Sequence, residues 1–244
     1  INKINYRLKH DSNQNNFFPN FVGSMPVNLT RKNLGIVTRQ SYYCTEKTDG
    51  IRYLLYVIPD IIDNNSLIAV LVDRKGTLYR MPGSSVIGKA LEYGTVLDGE
   101  LVYNRTMKKQ VFLMFDVLSI GTNSKLQLPF STRIALIASE VNQLCRKYLE
   151  AMPAAVPSTS TDDQQTPAPP TEKGIGIQEP LFLIRKIFRP KNEINEIVSK
   201  LRSEDGHRVY YENDRRHHKS DGIIFQPDTS YIMGTCMVLY KWKW

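Results

Sequence analysis

The sequence predicts an α+β fold in which antiparallel sheets are flanked by helices. From residue 42 onward, runs of β-branched and aromatic residues are punctuated by Gly, Asn, Asp and Pro, a pattern typical of strands separated by turns. The connections between these runs are short, which favours antiparallel pairing. Apolar residues recur at intervals of three and four in two later segments, which indicates helices. With 41% hydrophobic residues among 244, the chain can form one large domain, or one domain and part of a second.

The predicted elements follow in chain order. Residues 10–20 are polar and rich in turn formers, so we expect an extended lead-in there. Six strands are then predicted, each rich in β-branched, aromatic or other apolar residues. They are residues 42–47, 51–58, 67–74, 77–80, 95–103 and 110–118.

A helix is predicted over residues 131–150. Its apolar residues, from Ile134 to Tyr148, recur at three and four and therefore fall on one helical face. Ser131 or Thr132 is the expected N-cap, because both side chains can accept a hydrogen bond from a free backbone N–H of the first turn.

Composition changes abruptly at residues 151–176, which are rich in Pro, Ser, Thr and Ala. Such a segment cannot bury much apolar surface, and we predict a disordered insertion that divides one domain into residues 1–150 and 177–244. Four further elements are predicted after it: a strand, a helix and two closing strands. They are residues 181–188, 192–204, 221–227 and 236–244.

Bulk properties narrow the class of protein. The formal net charge of +8 suggests an acidic partner, with nucleic acid or nucleoside phosphates as first candidates. Cys44, Cys145 and Cys236 are far apart and lack C-x-x-C spacing, so we expect reduced thiols of a cytosolic or nuclear protein. No apolar run approaches 18 residues, so we expect neither a transmembrane helix nor a membrane partner. The chain begins with Ile1 and shows no signal peptide, so we expect an excised piece of a longer protein.

Lys47 stands in the segment Lys-Thr-Asp-Gly, residues 47–50, between two predicted strands. Such a lysine has two interpretations, a solvated turn residue or a nucleophile. Four residues of this kind also occur together by chance, so the segment alone does not decide between them.

Other residues able to do chemistry follow Lys47 in a distinctive order. Asp98 and Glu100 are two apart on a predicted strand and share one face, and so do Lys241 and Lys243. The remaining members of the set are Phe115, Lys186 and Asp221. Each has a structural explanation on its own, such as a core phenylalanine, a lysine that reaches solvent, or a basic edge strand. The order of the whole set is not explained in this way.

That order resembles the covalent nucleotidyltransferases, and in detail the eukaryotic messenger-RNA guanylyltransferases, or capping enzymes. Trp242, between two lysines, is more typical of capping enzymes than of ligases. Residues 21–29 resemble the lead-in of cellular capping enzymes, with Val22 where proline is usual. The resemblance covers nearly the whole chain except 151–176. The matching motifs are residues 47–50, 98–102, 115–116, 186, 220–222 and 241–243.

The resemblance implies a nucleotidyltransferase domain with an ATP-grasp-like or DNA-ligase-like adenylation-domain architecture. Lys47 would react with GTP to form a lysyl-N-GMP intermediate, and Asp221 would ligate Mg²⁺ or Mn²⁺. A lysine amine attacks phosphorus only when neutral, and nearby cations with partial burial disfavour its charged form.

The resemblance also assigns roles around the nucleotide. Glu100 would accept hydrogen bonds from the ribose, Phe115 would stack on the base, and Lys186 would donate to guanine O6. Further side chains, in particular Arg52, would hold the α-phosphate. The implied nucleotide-binding set is Arg52, Arg74, Asp98, Glu100, Phe115, Lys186, Asp221, Lys241 and Lys243.

Partners and location are implied in the same way. They are GTP, 5′-diphosphate RNA, an RNA 5′-triphosphatase that is fused or separate, and the phosphorylated C-terminal tail of RNA polymerase II, in the nucleus. The family continues into an OB-fold domain that orients the β- and γ-phosphates, whereas this sequence stops at Trp244. We therefore expect a catalytic-domain excerpt.

Two other functions stay open. An ATP-dependent polynucleotide ligase shares the lysine chemistry and would label with ATP instead of GTP. A non-catalytic RNA- or polymerase-binding module on the same fold would not need the intact Lys47, Glu100 and Asp221.

Residues 215–219, Arg-Arg-His-His-Lys, have two interpretations. They are a nuclear-import or RNA-contact patch, or a solvated loop before a strand, and we predict the loop. The two histidines lack partners at zinc spacing, so no metal is assigned to them.

Overall fold

The computed structural model describes residues 1–12, 21–63, 65–142 and 181–244. Two largely antiparallel sheets enclose a groove between them, and short helices cover their outer faces. The predicted α+β class is confirmed. Among the described residues, no helix combines the length and the apolar character that crossing a membrane requires.

The first sheet has the strand order β1-β14-β13-β12-β11, and β2 pairs with the second half of β13. The short β10 extends the sheet beyond β2. All these pairs are antiparallel except β1 with β14. The strands are β1 Ser24–Asn28, β2 Tyr42–Thr48, β10 Arg189–Pro190, β11 Leu201–Glu204, β12 His207–Asn213, β13 Arg216–Pro227 and β14 Gly234–Lys243.

The second sheet has the order β5-β4-β3-β6-β7-β8, with β9 added in parallel beside β7. Its long central strands come from consecutive antiparallel pairs, as the short connections predict. The strands are β3 Ile51–Pro59, β4 Leu67–Val72, β5 Leu78–Arg80, β6 Val96–Asn104, β7 Lys109–Ile120, β8 Asn123–Ser124 and β9 Phe182–Arg185.

The described helices are short. One of them continues into a π-helical turn and another follows a 3₁₀ turn. They are α1 Asn2–Asp11, α2 Arg31–Arg39, α3 Ser84–Ala90, α4 Phe130–Leu136 with the π turn Ile137–Val141, and α5 Ile194–Val198 after the 3₁₀ turn Lys191–Glu193.

Strand β3 is buried on both faces. Leu55 packs into the core beneath α3 and α4, whereas Leu54 and Tyr56 pack into a second core beside α1. This double burial explains why the β3 sequence reads as a continuous apolar run and not as an alternating one. Burial of each such side chain stabilises the fold by about 1.5–3 kcal/mol, and the second sheet forms one wall of the groove.

The prediction for residues 131–150 is partly wrong. The helix begins at Phe130, and its N-cap is Pro129 instead of Ser131 or Thr132. One backbone N–H of the first helical turn has a partner distant in sequence: the Ser131 N–H donates to Asp228 Oδ1 at 2.8 Å. Residues 143–150 and the predicted insertion 151–176 lie outside the described residues.

Two further predictions are wrong. The helix expected over 192–204 ends at Val198, because Leu201 pairs with Tyr210 and begins strand β11. Residues 216–219 are not a solvated loop but the start of β13, where the His218 side chain is buried against Glu46. Helices α1, α2 and α3 were not predicted, and the predicted lead-in has its first two residues in α1.

Candidate active site

Lys47 is the penultimate residue of β2, and β13 holds both its backbone and its side chain. Its Nζ donates to Asp221 Oδ1 at 2.5 Å, and 19% of the side chain is exposed. Its carbonyl accepts a hydrogen bond from Ser220 Oγ at 2.8 Å. Lys47 is therefore fixed in place yet open to solvent, as a nucleophile must be.

Asp221 is shared between two lysines. Its second carboxylate oxygen lies 2.7 Å from Lys243 Nζ on β14. A register shift between Ser220 and Gly222 interrupts the pairing of β13 with β2 at this residue. Partial burial raises the pKa of Asp221, but hydrogen bonds from Lys243 and Lys47 outweigh burial and hold the pKa below its ordinary value. The hydrogen bond from Asp221 in turn raises the pKa of Lys243.

Two glycines permit this close arrangement. A Cβ on Gly50 would lie 2.5 Å from the carbonyl oxygen of Leu101, where β6 passes beneath the β2–β3 turn. A Cβ on Gly222 would lie 1.9 Å from the carbonyl oxygen of Trp242 on β14. The glycines that follow Asp49 and Asp221 are thus required by backbone contact.

The groove between the sheets gathers most of the predicted site. It is also lined by residues that the sequence analysis did not assign, among them Ser24 and Met25 of β1, Thr48 and Tyr231. Asp221 and Lys243 lie beside Lys47, to which Asp221 is bound. The predicted residues that line the groove are Lys47, Arg52, Arg74, Asp98, Glu100, Phe115, Lys186 and Lys241.

Arg52 is fixed by a network of buried groups. Its Nε donates to Asp98 Oδ1 at 2.9 Å, and its two terminal nitrogens donate to the other Asp98 oxygen and to the Ser24 carbonyl. The Tyr231 hydroxyl donates to the same Asp98 carboxylate at 2.6 Å. The guanidinium carbon lies 5.2 Å from the centre of the Phe115 ring. Asp98 thus positions Arg52. A direct contact between Asp98 and a nucleotide stays a prediction.

A second network lies behind Lys47. Lys186, which follows β9 and is 3% exposed, donates to Thr48 Oγ1, and its Nζ is 3.4 Å from Glu46 Oε1. Glu46 also accepts from Thr45 Oγ1 at 2.7 Å and lies 3.1 Å from His218 Nε2. Burial raises the pKa of Glu46, but Lys186 and His218 outweigh burial and lower it to about 2.

The sequence analysis missed Glu46 and His218. The available signal was the alternation of β2, which places Glu46 on the strand face opposite to Lys47 and hence towards the interior.

Glu100 faces the groove as a partly buried carboxylate. Burial raises its pKa above the ordinary value, and the attraction of Lys186, Lys47 and Arg52 offsets only part of that rise. A carboxylate under these conditions gains from hydrogen-bond donors such as hydroxyl groups, in agreement with its predicted ribose contact.

The residue after Phe115, Asp116, forms a buried ion pair with Arg133. Arg133 of α4 donates to the two oxygens of Asp116 at 2.7 and 2.9 Å and to the Thr229 carbonyl at 2.9 Å. Arg133 therefore links the segment between β13 and β14, which contains Tyr231, to strand β7, which contains Phe115. The sequence offered no signal for this arginine, because it lies inside an ordinary helical pattern.

Comparison with known proteins identifies the family. The model of the family described as mRNA capping enzyme, catalytic domain, matches residues 2–160. The mRNA-capping enzyme subunit alpha of Neurospora crassa is 29% identical over 236 residues, which cover 91% of this chain and 50% of that protein. The subunit alpha of Eremothecium gossypii is 31% identical over 240 residues, which cover 91% of this chain and 45% of that protein.

Solved structures share the fold at low sequence identity. The ligase domain of M. tuberculosis LigD has a TM-score of 0.51 and 15% identity, and the match covers 93% of this chain and 61% of that chain. The Chlorella virus DNA ligase-adenylate has a TM-score of 0.50 and 14% identity, covering 91% and 68%. The DNA-ligase-like architecture predicted from the sequence is confirmed.

The chain spans about half the length of the curated relatives it matches. The family match extends over the segment that carries Lys47, Arg52, Glu100 and Phe115, all of which the fold brings to one groove. The chain belongs to the mRNA capping enzyme catalytic-domain family.

Proposed function

We propose that the chain is an mRNA guanylyltransferase. Lys47, as the neutral amine, attacks the α-phosphorus of GTP, so that an N–P bond forms and pyrophosphate leaves. A terminal phosphate oxygen of 5′-diphosphate RNA then attacks the same phosphorus, the N–P bond breaks, and the amine of Lys47 is regenerated. The product is RNA with a guanosine cap.

The observation that carries the proposal is the ion-paired Lys47 among the groove residues. Lys47, Lys241 and Arg52 converge on one groove, and Lys243 lies beside it. Fixed cations around a reacting phosphate stabilise the negative charge that gathers in the transition state. As the family resemblance implies, we assign the phosphates to the part of the groove at Lys47 and the base to the part at Lys186 and Phe115.

Lys186 supports guanine over adenine. Its ammonium has three N–H donors and no acceptor; it donates to Thr48 Oγ1, and its Nζ lies 3.4 Å from Glu46 Oε1. A remaining N–H would pair with guanine O6, whereas adenine presents an amine there and would leave that buried donor unpaired. Such a mismatch costs about 1–3 kcal/mol.

Asp221 fits a divalent cation. Each of its oxygens accepts one hydrogen bond from a lysine and keeps a further lone pair, and hard carboxylate oxygens suit Mg²⁺ or Mn²⁺. No group of three or more His, Cys, Asp or Glu side chains assembles a metal site within the described ranges, so the nucleotide phosphates would complete the coordination. When bound, the ion neutralises charge on those phosphates.

The proposal extends to partners and location. The acceptor is 5′-diphosphate RNA, and an RNA 5′-triphosphatase, fused or separate, must produce that end from a triphosphate. The phosphorylated C-terminal tail of RNA polymerase II and a nuclear location follow from the same family resemblance. The net charge of +8 agrees with polyanionic partners.

The test is covalent labelling with GTP or ATP carrying a labelled α-phosphate, in the presence of Mg²⁺ or Mn²⁺. We expect an acid-stable adduct with GTP that is lost in Lys47→Ala and in Lys47→Arg, since a guanidinium stays protonated. Lys75→Ala, at an exposed turn lysine, is the matched control. The complete protein and these 244 residues are compared, because the chain spans about half of its relatives.

Each contrary result has a meaning. Preferential labelling with ATP would move the protein to the ligases. Labelling of Lys47→Ala would assign the nucleophile to another residue. Absence of any adduct in the complete protein would leave a non-catalytic binding module.

A further inference from the structure

The two tryptophans of the chain lie open to solvent next to the candidate active site. Trp242 is 45% exposed and Trp244 is 36% exposed, and their rings meet edge to face with centroids 5.7 Å apart. Large aromatic side chains usually bury most of their surface, so two adjacent exposed indoles need an explanation.

A cation covers one of the rings. Arg208 of β12 places its guanidinium carbon 4.5 Å from the centre of the Trp244 ring. The Trp244 indole N–H donates to the Ser220 carbonyl at 3.4 Å. The ring is therefore anchored to the same residue whose hydroxyl holds the Lys47 carbonyl.

The two indole rings lie on the face of β14 opposite to Lys243, a lysine that the proposed function assigns to phosphate binding. Side chains alternate along β14, so Lys243 points to the opposite face from Trp242 and Trp244 and reaches Asp221. An acceptor whose terminal phosphates lie at Lys47 and Lys243 would lead its first nucleosides over the end of this strand.

We propose that Trp244, together with Trp242 and Arg208, is a stacking platform for unpaired bases near the 5′ end of the acceptor RNA. The identity of this ligand as the acceptor rests on the proposed function. Proteins that bind single-stranded nucleic acid combine positive charge with aromatic rings on which bases stack. A guanidinium plane over an indole offers both in one place, and unpaired RNA bases also stack on arginine.

The experiment uses the fact that Trp242 and Trp244 are the two tryptophans of the chain, so its indole fluorescence reports on the platform. The protein is titrated with a short single-stranded 5′-diphosphate RNA while tryptophan fluorescence and the anisotropy of the labelled RNA are followed. We expect saturable quenching. Trp244→Ala and Arg208→Gln should each weaken RNA affinity about ten-fold, the loss of one base stack.

Two variants give matched controls. Trp244→Phe keeps an aromatic face and should retain most of the RNA affinity. Arg202→Gln removes another exposed arginine that lies over an aromatic ring, 4.9 Å from Tyr211, and should leave RNA affinity unchanged. GTP affinity is measured for every variant and should fall less than RNA affinity in Trp244→Ala.

Several results would overturn the platform. They are absence of quenching, unchanged affinity in Trp244→Ala, equal affinity for double-stranded RNA, or a parallel loss of GTP affinity. The platform would also be overturned if Trp244→Ala no longer weakened RNA binding in a longer form of the protein, because further chain would then cover the ring. RNA binding that depends on Trp244 without a GMP adduct on Lys47 would support the platform and contradict the proposed function.

Discussion

Lys47 and Asp221 are 174 residues apart in sequence and form a 2.5 Å hydrogen bond in the fold. Because Asp221 also binds Lys243, one carboxylate restrains two ammonium groups at the place where phosphates are proposed to react. An incoming nucleotide with its cation would compete for that carboxylate. Under the proposed function, this ion pair is the state of Lys47 before the nucleotide binds, and nucleotide binding would disrupt it.

Asp221→Asn removes the charge that both lysines share. We expect GMP labelling to fall at least about 100-fold, since a group of this kind contributes on that scale to charge stabilisation in the transition state. The free energy of unfolding should fall by less than about 1 kcal/mol, because the pair is partly exposed. Labelling rates and urea unfolding measure the two quantities. Asp214→Asn, at an exposed carboxylate, is the control, and an active Asp221→Asn would contradict this role.

Lys186→Gln should relax the choice of base. A glutamine amide both donates and accepts, so it can pair with the adenine amine as well as with guanine O6. We expect the ratio of GTP to ATP labelling to fall roughly five- to 150-fold, which corresponds to about 1–3 kcal/mol. The ratio removes any general loss of activity from the comparison. An unchanged ratio would exclude Lys186 as the group that selects the base.

Glu46→Gln should destabilise the protein in a pH-dependent way. The pKa of Glu46 is lowered from 4.5 to about 2, so its stabilising contribution is present above pH 4.5 and is lost as pH falls towards 2. At neutral pH we expect a loss on the order of 3 kcal/mol, since Lys186 and His218 lose their buried partner. Urea unfolding at several pH values measures the difference, which should shrink between pH 4.5 and 2. A difference in unfolding free energy that stays the same at every pH would show that the stabilisation does not come from the ionised Glu46 carboxylate. The same variant should keep its preference for GTP, which separates stability from base choice.

Arg52→Lys should lower both the stability of the fold and the affinity for GTP, although it keeps the positive charge. The ammonium cannot reproduce the two-pronged contact with Asp98 or the stacking on Phe115. We expect a loss of about 1–3 kcal/mol in unfolding free energy and weaker GTP binding. Arg80→Lys is a matched control, because Arg80 makes the same two-pronged contact with Asp60 but is half exposed; it should lose less than about 1 kcal/mol. Equal losses at the two sites would contradict the explanation.

Most of the strands that line the groove were predictable from local pattern, because β2, β3, β6 and β7 are rich in β-branched, aromatic and other apolar residues; β1 was not predicted. The stretch 192–204 was not. Its apolar residues fit a helical period, but Leu201 gains more from pairing beside Tyr210 than from one further helical turn. Tertiary contact overrode a weak local preference.

Most of the predicted site residues could be found because they belong to short motifs. The groups that hold them could not. Tyr231 and Arg133 lie in segments of ordinary composition, and their roles depend on Asp98 and Asp116, which are distant in sequence. The alternation of β2 turns Glu46 towards the interior, but its partner Lys186 is distant in sequence. Sequence pattern thus identifies groups that do chemistry more readily than groups that position them.

The pairing of β2 with β13 has a consequence for biosynthesis. The ribosome makes Lys47 well before Asp221, which follows it by 174 residues, and before Lys243. Contacts between residues so far apart form slowly, because a long loop must close first. A chain interrupted before β13 therefore carries Lys47 without its restraining carboxylate. Because pairing of β13 with β2 brings Asp221 to Lys47, we expect such an interrupted chain to form no adduct.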